Sequence, residues 1–245
     1  MKAIVLTFDA QTGLAELVYK KYMELWPDCP LTFLIPYNSE KNPCLDYFRE
    51  RENIIPVRTF PDIRSTMEEL LKFVEPDEWV FWCIDDRYPV NVDFRQLNQV
   101  FQFLSTSESP NLRAVKLFKW KEKIQDSTFR ISDMIFNYQQ CKTIWGFYHH
   151  YFLKAGILRN FFLNHGNITE NSSLRKIHTY NFQKYHVPEL YDTQGFILPA
   201  INIIKSFYEP VREGKLTRTF LELLKEHKCH QIPDYVIIEV FKKYE

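Results

Sequence analysis

The stretch Trp79-Val80-Phe81-Trp82-Cys83-Ile84 constrains this chain more than any other: six residues without a charge, ended at once by Asp85-Asp86. A strand with one face in water alternates polar and apolar residues, whereas one covered on both faces is apolar throughout. The stretch therefore predicts a central strand of a sheet with helices on either side. The residues before it agree. Ala3 to Thr7 is a short apolar, β-branched run, and Thr12 to Trp26 repeats apolar residues at helical spacing before Pro27. Leu31 to Ile35 reads as a second strand closed by Pro36, Ile54 to Val57 as a third, and Ile63 to Val74 as a helix. Asp93 to Leu104 is a further helix, with Asp93 as cap or first-turn acid, and Leu112 to Phe118 returns as a strand.

Such alternation implies an α/β fold with a mostly parallel central sheet flanked by helices. In sheets of this kind ligands bind outside the carboxyl ends of the strands. Thr7, Asp9, Asp85 and Asp86 are then expected along one rim. The second half is less regular. Thr143 to Phe152 is an aromatic strand candidate leading into a helix at Lys154 to Leu163. Thr169 to Tyr180 reads as a short polar helix, Pro188 to Pro199 as a loop and Leu216 to His227 as a helix. No repeat or linker divides the chain, so residues 1–245 are expected to form one unit, with an irregular half built onto the first.

Composition removes several classes. Lys plus Arg and Asp plus Glu both number 31, so no overall basic excess points to a nucleic acid. The five cysteines are odd in number and form no C-x-x-C pair, which disfavours a disulfide framework or a structural zinc site. Cys83, inside the apolar strand, reads as a small buried hydrophobe. The N-terminus lacks a signal-like apolar run and nothing approaches the length of a membrane span, so a cytoplasmic location is expected and the sequons at Asn167 and Asn171 are taken as chance. There is no G-x-G-x-x-G fingerprint, Walker A loop, G-x-S-x-G elbow or H-E-x-x-H helix.

The motif that remains is Cys83-Ile84-Asp85-Asp86-Arg87-Tyr88-Pro89-Val90. Two adjacent carboxylates at the end of a buried strand repel each other and lose hydration, which costs free energy unless a cation or hydrogen-bond donors compensate. A magnesium or manganese ion bridging to a diphosphate would do so, because hard cations take carboxylate and phosphate oxygens together. The alternative is a local turn in which Asp85 caps and Asp86 pairs with Arg87.

With Thr7-Phe8-Asp9 after the first strand, a helix, a second strand and the acidic pair near position 85, the chain resembles GT-A-fold glycosyltransferases over about residues 1 to 120. Phe147 to Phe162 and Gly214-Lys215-Leu216-Thr217-Arg218 resemble the bacterial polysaccharide-type members more weakly. The resemblance implies a nucleoside-diphosphate sugar as donor, a divalent cation held by Asp86 and Asp85, and a saccharide or glycolipid acceptor at the cytoplasmic face of a membrane. Residues 1–120 would form the nucleotide-sugar half and 121–245 the acceptor half. Arg87 stands where the family's Asp-x-Asp motif has its second aspartate, and can itself take part of a metal's charge role.

By the same resemblance Thr7 and Asp9 would meet the nucleobase or ribose, although Asp9 equally suits a local cap. Arg64 can reach a phosphate or be a solvated arginine. Glu170 occupies the place of a general base, and also suits the first turn of a helix. His149 and His150 alternate on a strand, so at most one faces a cleft; His150 is the candidate metal ligand, against an ordinary buried histidine. Lys215 and Arg218 flank Gly214 and can neutralise the departing diphosphate, or simply be charges at a helix start. Two other readings stay open: a non-catalytic nucleotide-sugar-binding module, and a metal-dependent nucleotidyltransferase or phosphohydrolase.

Overall fold

The computed structural model describes residues 1–106, 112–118, 127–140, 149–163, 195–199, 202–208, 211–212 and 215–226. Four parallel strands open the chain: β1 (Lys2–Leu6), β2 (Thr32–Tyr37), β3 (Ile54–Arg58) and β4 (Trp79–Ile84). Between them lie α1 (Thr12–Leu25), the short α2 (Leu45–Arg49) and α3 (Ile63–Leu70). After β4 come β5 (Arg87–Val92), α4 (Phe94–Thr106), β6 (Leu112–Lys116), β7 (Ser127–Ile131), β8 (Met134–Gln140), β9 (Tyr151–Lys154) and α5 (Ala155–Phe162). The last described elements are β10 (Gly195–Pro199), β11 (Ile204–Tyr208), the paired β12 (Val211–Arg212) and β13 (Lys215–Leu216), and α6 (Arg218–Glu226).

Nine strands form one sheet in the order β3-β2-β1-β4-β9-β6-β10-β8-β7. All run the same way except β9 and β8. The expected mostly parallel sheet is thus present, with β4 inside it as its uniform apolarity requires. Strand alternation sends Ala3, Val5, Phe81 and Cys83 to one face, and Ile4, Val80, Trp82 and Ile84 to the other. The first face packs under residues of α1, α4 and α6; the second packs under α3 and α5. Each fully buried large side chain of β4 contributes about 1.5–3 kcal/mol, so this strand anchors both layers. Cys83 is completely buried with its thiol pKa pushed up by that burial, which suits a small apolar residue.

Some boundaries differ from expectation, for local physical reasons. β2 runs through Pro36 instead of stopping there. Phe33 donates to Asn53 and the Tyr37 carbonyl accepts from Thr59, so these odd positions bond towards β3. Pro36 then faces β1, where the paired register ends at Leu34, and no ladder hydrogen bond is lost. β10 occupies the last part of a segment expected to be loop; its five residues are held between β6 and β8. β5 follows the acidic pair and pairs antiparallel with β11, Ser206 lying opposite Pro89 across a register shift. Asp93 caps α4 as expected, accepting from the Gln96 N–H at 3.0 Å.

Candidate active site

Because β1, β2, β3, β4 and β6 share a direction, their carboxyl ends meet at one rim, and the reversed β9 begins there. Thr7, Asn38, Thr59, Asp85 and Phe118 follow the ends of those strands, and His150 immediately precedes β9. The parallel register Leu6↔Ile84 sets Thr7 beside Asp85. The rim expected from the alternation of elements is therefore where the acidic pair stands.

Asp85 is only 6% exposed. Its backbone N–H donates to the Leu6 carbonyl at 3.3 Å, which fixes the residue at the strand end. Its Oδ2 is buried and makes no hydrogen bond, and neither does the buried Thr7 hydroxyl beside it. Burial raises the Asp85 carboxyl pKa to about 8; the nearby Thr7 hydroxyl, short of an aligned hydrogen bond, offsets part of this, and the Asp86 charge adds to it. Asp86 is half-buried. Its Oδ1 lies 3.4 Å from Arg87 Nη1, which also donates to the Asp86 carbonyl at 3.0 Å. The local pairing foreseen for Asp86 and Arg87 is formed, while Asp86 keeps a face to solvent.

Magnesium and manganese are commonly held by one or two carboxylates completed by substrate phosphates and water. The orphaned Asp85 Oδ2 and the accessible Asp86 carboxylate fit that donor set. Among the described residues no group of three His, Cys, Asp or Glu side chains comes together.

His150 is 98% buried, its ring packed against Tyr22 and Phe81. Tyr22 Oη and His150 Nδ1 share a short hydrogen bond. Burial, with the positive surroundings of His149 and Arg87, lowers the His150 pKa to about 3, so the ring is neutral near pH 7. Its Nδ1 is engaged with α1, and its buried Nε2 is left without an aligned hydrogen bond.

Asp9 organises the rim instead of standing free. Its Oδ1 accepts from the Asn38 N–H and from Asn42 Nδ2, each at 2.7 Å, and its own N–H donates to Asn38 Oδ1 at 3.2 Å. Asn42 Oδ1 in turn accepts from the Cys44 N–H at 2.9 Å and from the Thr12 hydroxyl at 3.2 Å. Asn38 Nδ2 reaches the Thr59 hydroxyl at 3.0 Å. Three strand ends are thereby tied together. The sequence offered Asp9 as a candidate but no periodicity marks Asn38 or Asn42, which lie 29 and 33 residues away.

The remaining candidates are more scattered. Arg64, in the first turn of α3, donates to the Leu163 carbonyl at 3.5 Å. Arg218, at the start of α6, is exposed and pairs with Glu222 at 3.2 Å, while Lys215 pairs through β13 with Arg212 of β12. α6 itself packs on the β5–β11 ribbon through Phe220, which contacts Tyr88 and Phe207. Glu170 lies outside the described residues.

A concavity of about 150 Å³ opens between the end of β6, the start of β9 and β11. Phe118, His149, His150, Asn202, Lys205 and Ser206 are among the residues that line it. His149 stacks flat on Phe118 with centroids 3.7 Å apart. Its pKa is lowered to about 3 by burial first, then by Arg87 and Lys116. Of this lining only the two histidines were legible as candidates in the sequence.

No family model and no curated protein matches the sequence. Solved structures do match by shape. S. aureus TarS 1–349 superposes with a TM-score of 0.51 at 12% identity, over 85% of this chain and 60% of that one. The chain thus spans about 60% of the length of that protein. The galactosyltransferase LgtC in complex with donor and acceptor sugar analogs gives a TM-score of 0.42 at 13% identity, over 95% and 81% of the two chains. 4-Diphosphocytidyl-2C-methyl-D-erythritol synthase gives 0.45 at 10% identity, over 92% and 97%. The likeness to TarS is one of fold, and it agrees with the strand order and the rim described above: the chain has a GT-A-like α/β fold.

Proposed function

We propose that this protein is a glycosyltransferase that moves a sugar from a nucleoside-diphosphate sugar to a hydroxyl acceptor. The observation that supports this best is the acidic pair at the carboxyl end of β4, with a buried, orphaned Asp85 oxygen at the rim of a GT-A-like sheet. Residues 1–120 would supply the donor side and residues 121–245 the acceptor side.

In this reading Asp86, with Asp85, holds the divalent cation and through it the donor diphosphate. The bound cation, manganese or magnesium, would neutralise charge growing on the leaving diphosphate. Asp85 would hold the cation as its carboxylate, the form that a nearby positive charge favours. Arg87, already beside Asp86, adds a fixed positive charge to the same edge. Thr7 and the Asp9–Asn38–Asn42 network would shape the place of the nucleoside. Phe8 and Phe60, 48% and 69% exposed, offer apolar surface near it. Arg64 would approach a phosphate, Lys215 and Arg218 would steady the leaving diphosphate, and Glu170 would take the acceptor proton if configuration inverts. The acceptor would be a saccharide or glycolipid, in polysaccharide or glycolipid synthesis, with peripheral membrane contact. Among the described residues no helix is long and apolar enough to cross a membrane.

Calorimetry with uridine and guanosine diphosphate, with and without manganese, tests the reading. Metal-enhanced binding that disappears in Asp86→Ala, together with loss of sugar-nucleotide turnover in the same variant, is expected. Turnover or metal-enhanced binding that is unchanged in Asp86→Ala removes the assignment.

A further inference from the structure

One wall of the concavity between the end of β6, the start of β9 and β11 carries an unsatisfied group. His150 lines this space, is only 2% exposed, and has one of its two ring nitrogens in a hydrogen bond. That bond fixes where the ring proton sits. Burial pushes the Tyr22 phenol pKa well up, so the hydroxyl keeps its proton, and among the described residues its partner is His150 Nδ1. Tyr22 therefore donates to Nδ1, and the imidazole carries its own proton on Nε2. Nε2 is buried and meets no acceptor; the Arg87 backbone bears on the ring without an aligned bond. A buried N–H in that state is costly until something accepts from it. A protonated nitrogen offers a donor and no lone pair, so the missing group is an oxygen rather than a cation. The rest of the lining says what kind of molecule brings that oxygen. Leu117, Phe118 and Ile204 give apolar and aromatic surface, and Asn202 and Ser206 add neutral polar groups. Such a mixture suits a ligand with carbon faces and oxygen edges. At about 150 Å³ the space is of the size that takes a single six-membered ring.

We propose that this concavity binds one sugar ring and that His150 holds it, donating its Nε2 proton to a hydroxyl or ring oxygen. Tyr22 acts behind the site: by occupying Nδ1 it keeps the donor on Nε2. Ser206 of the lining pairs with Pro89 of β5, the strand that follows the acidic pair, so the concavity adjoins the proposed diphosphate edge. The inference rests on the transferase reading, in which a ring of the donor or of the acceptor lies next to that edge. The recognising chemistry is the same for either ring. Imidazole geometry supplies the variants that test it. Asn places its amide where Nδ1 stands, so His150→Asn keeps the Tyr22 bond and removes the donor. Gln reaches the Nε2 position, so His150→Gln keeps the donor and gives up the Tyr22 bond.

Binding of glucose, galactose and N-acetylglucosamine to the full chain is measured by ligand-detected NMR, alone and with uridine diphosphate and manganese. Their uridine diphosphate esters are compared with uridine diphosphate itself by calorimetry. In wild type at least one free sugar should bind, or at least one ester should bind more tightly than uridine diphosphate. His150→Asn should weaken that sugar-dependent affinity roughly fivefold, the scale of one hydrogen bond, while His150→Gln should retain most of it. An effect on a free sugar places the acceptor's ring in the concavity, and an effect confined to the esters places the donor's. Urea unfolding at pH 7 checks that both variants are folded. Sugar-dependent affinity that is equal in wild type and His150→Asn, that falls alike in both variants, or that is absent from wild type overturns the proposal. Manganese-dependent uridine diphosphate binding by wild type reports on the Asp85–Asp86 edge separately. Its persistence without a His150-dependent sugar contact defeats only this inference. Its absence defeats the transferase reading and leaves the free-sugar measurement to decide for the concavity.

Discussion

Replacing His150 by Asn should flatten part of the protein's loss of stability in acid. The imidazole is 98% buried, its pKa lowered from 6.5 to about 3, chiefly because burial disfavours the charged form. In the unfolded chain the same group takes up a proton near pH 6.5. Between pH 6.5 and pH 3 the unfolded state therefore binds more protons than the folded one, and stability rises with pH across that window. Stated from the other direction, the contribution is complete above pH 6.5 and is lost as the pH falls towards 3. Integrating the linkage from pH 7 to pH 5 gives roughly 2 kcal/mol for this one residue. Asn cannot titrate, and its side-chain oxygen can still accept from the Tyr22 hydroxyl that now meets Nδ1. The assay is urea unfolding of wild type and His150→Asn at pH 7 and pH 5. The wild type should lose about 2 kcal/mol more than the variant over that interval. An identical loss in both proteins would refute the argument, because it would mean that the buried ring is not what resists protonation.

Two further outcomes follow from the rim. Asp85→Asn should gain stability relative to wild type as the pH is raised from about 4 to about 8, since the raised carboxyl pKa makes ionisation costly in the folded state only; thermal midpoints at pH 5 and pH 8.5 that shift in parallel for both proteins would contradict this. The same variant should lose manganese-enhanced uridine diphosphate binding. Asn42→Ala should destabilise the protein by about 2 kcal/mol, because it deprives Asp9 of a donor and leaves the Cys44 N–H without its side-chain acceptor. Chemical denaturation reads the loss, and an unchanged midpoint would show that the three strand ends hold together without this side chain.

The sequence by itself determined that Trp79 to Ile84 lies inside a sheet, since six uncharged residues leave no face for water, and that the acidic pair follows at the strand's end. It also determined the alternation up to β4, because amphipathic helices and apolar strands have distinct periods. Only the tertiary structure decided which distant residues complete the rim. Asn38 and Asn42 clamp Asp9 through hydrogen bonds across loops, and a polar loop residue has no period to announce its partner. β5 and β10 were equally hidden: each is short and contains a proline, so pairing with β11, or with β6 and β8, supplies the order that local propensity does not. The neutrality of His150 and of Asp85 belongs to the same category. Ionisation is set by how completely water is excluded and by which charges stand nearby, and those are properties of the packed sheet rather than of any segment of chain.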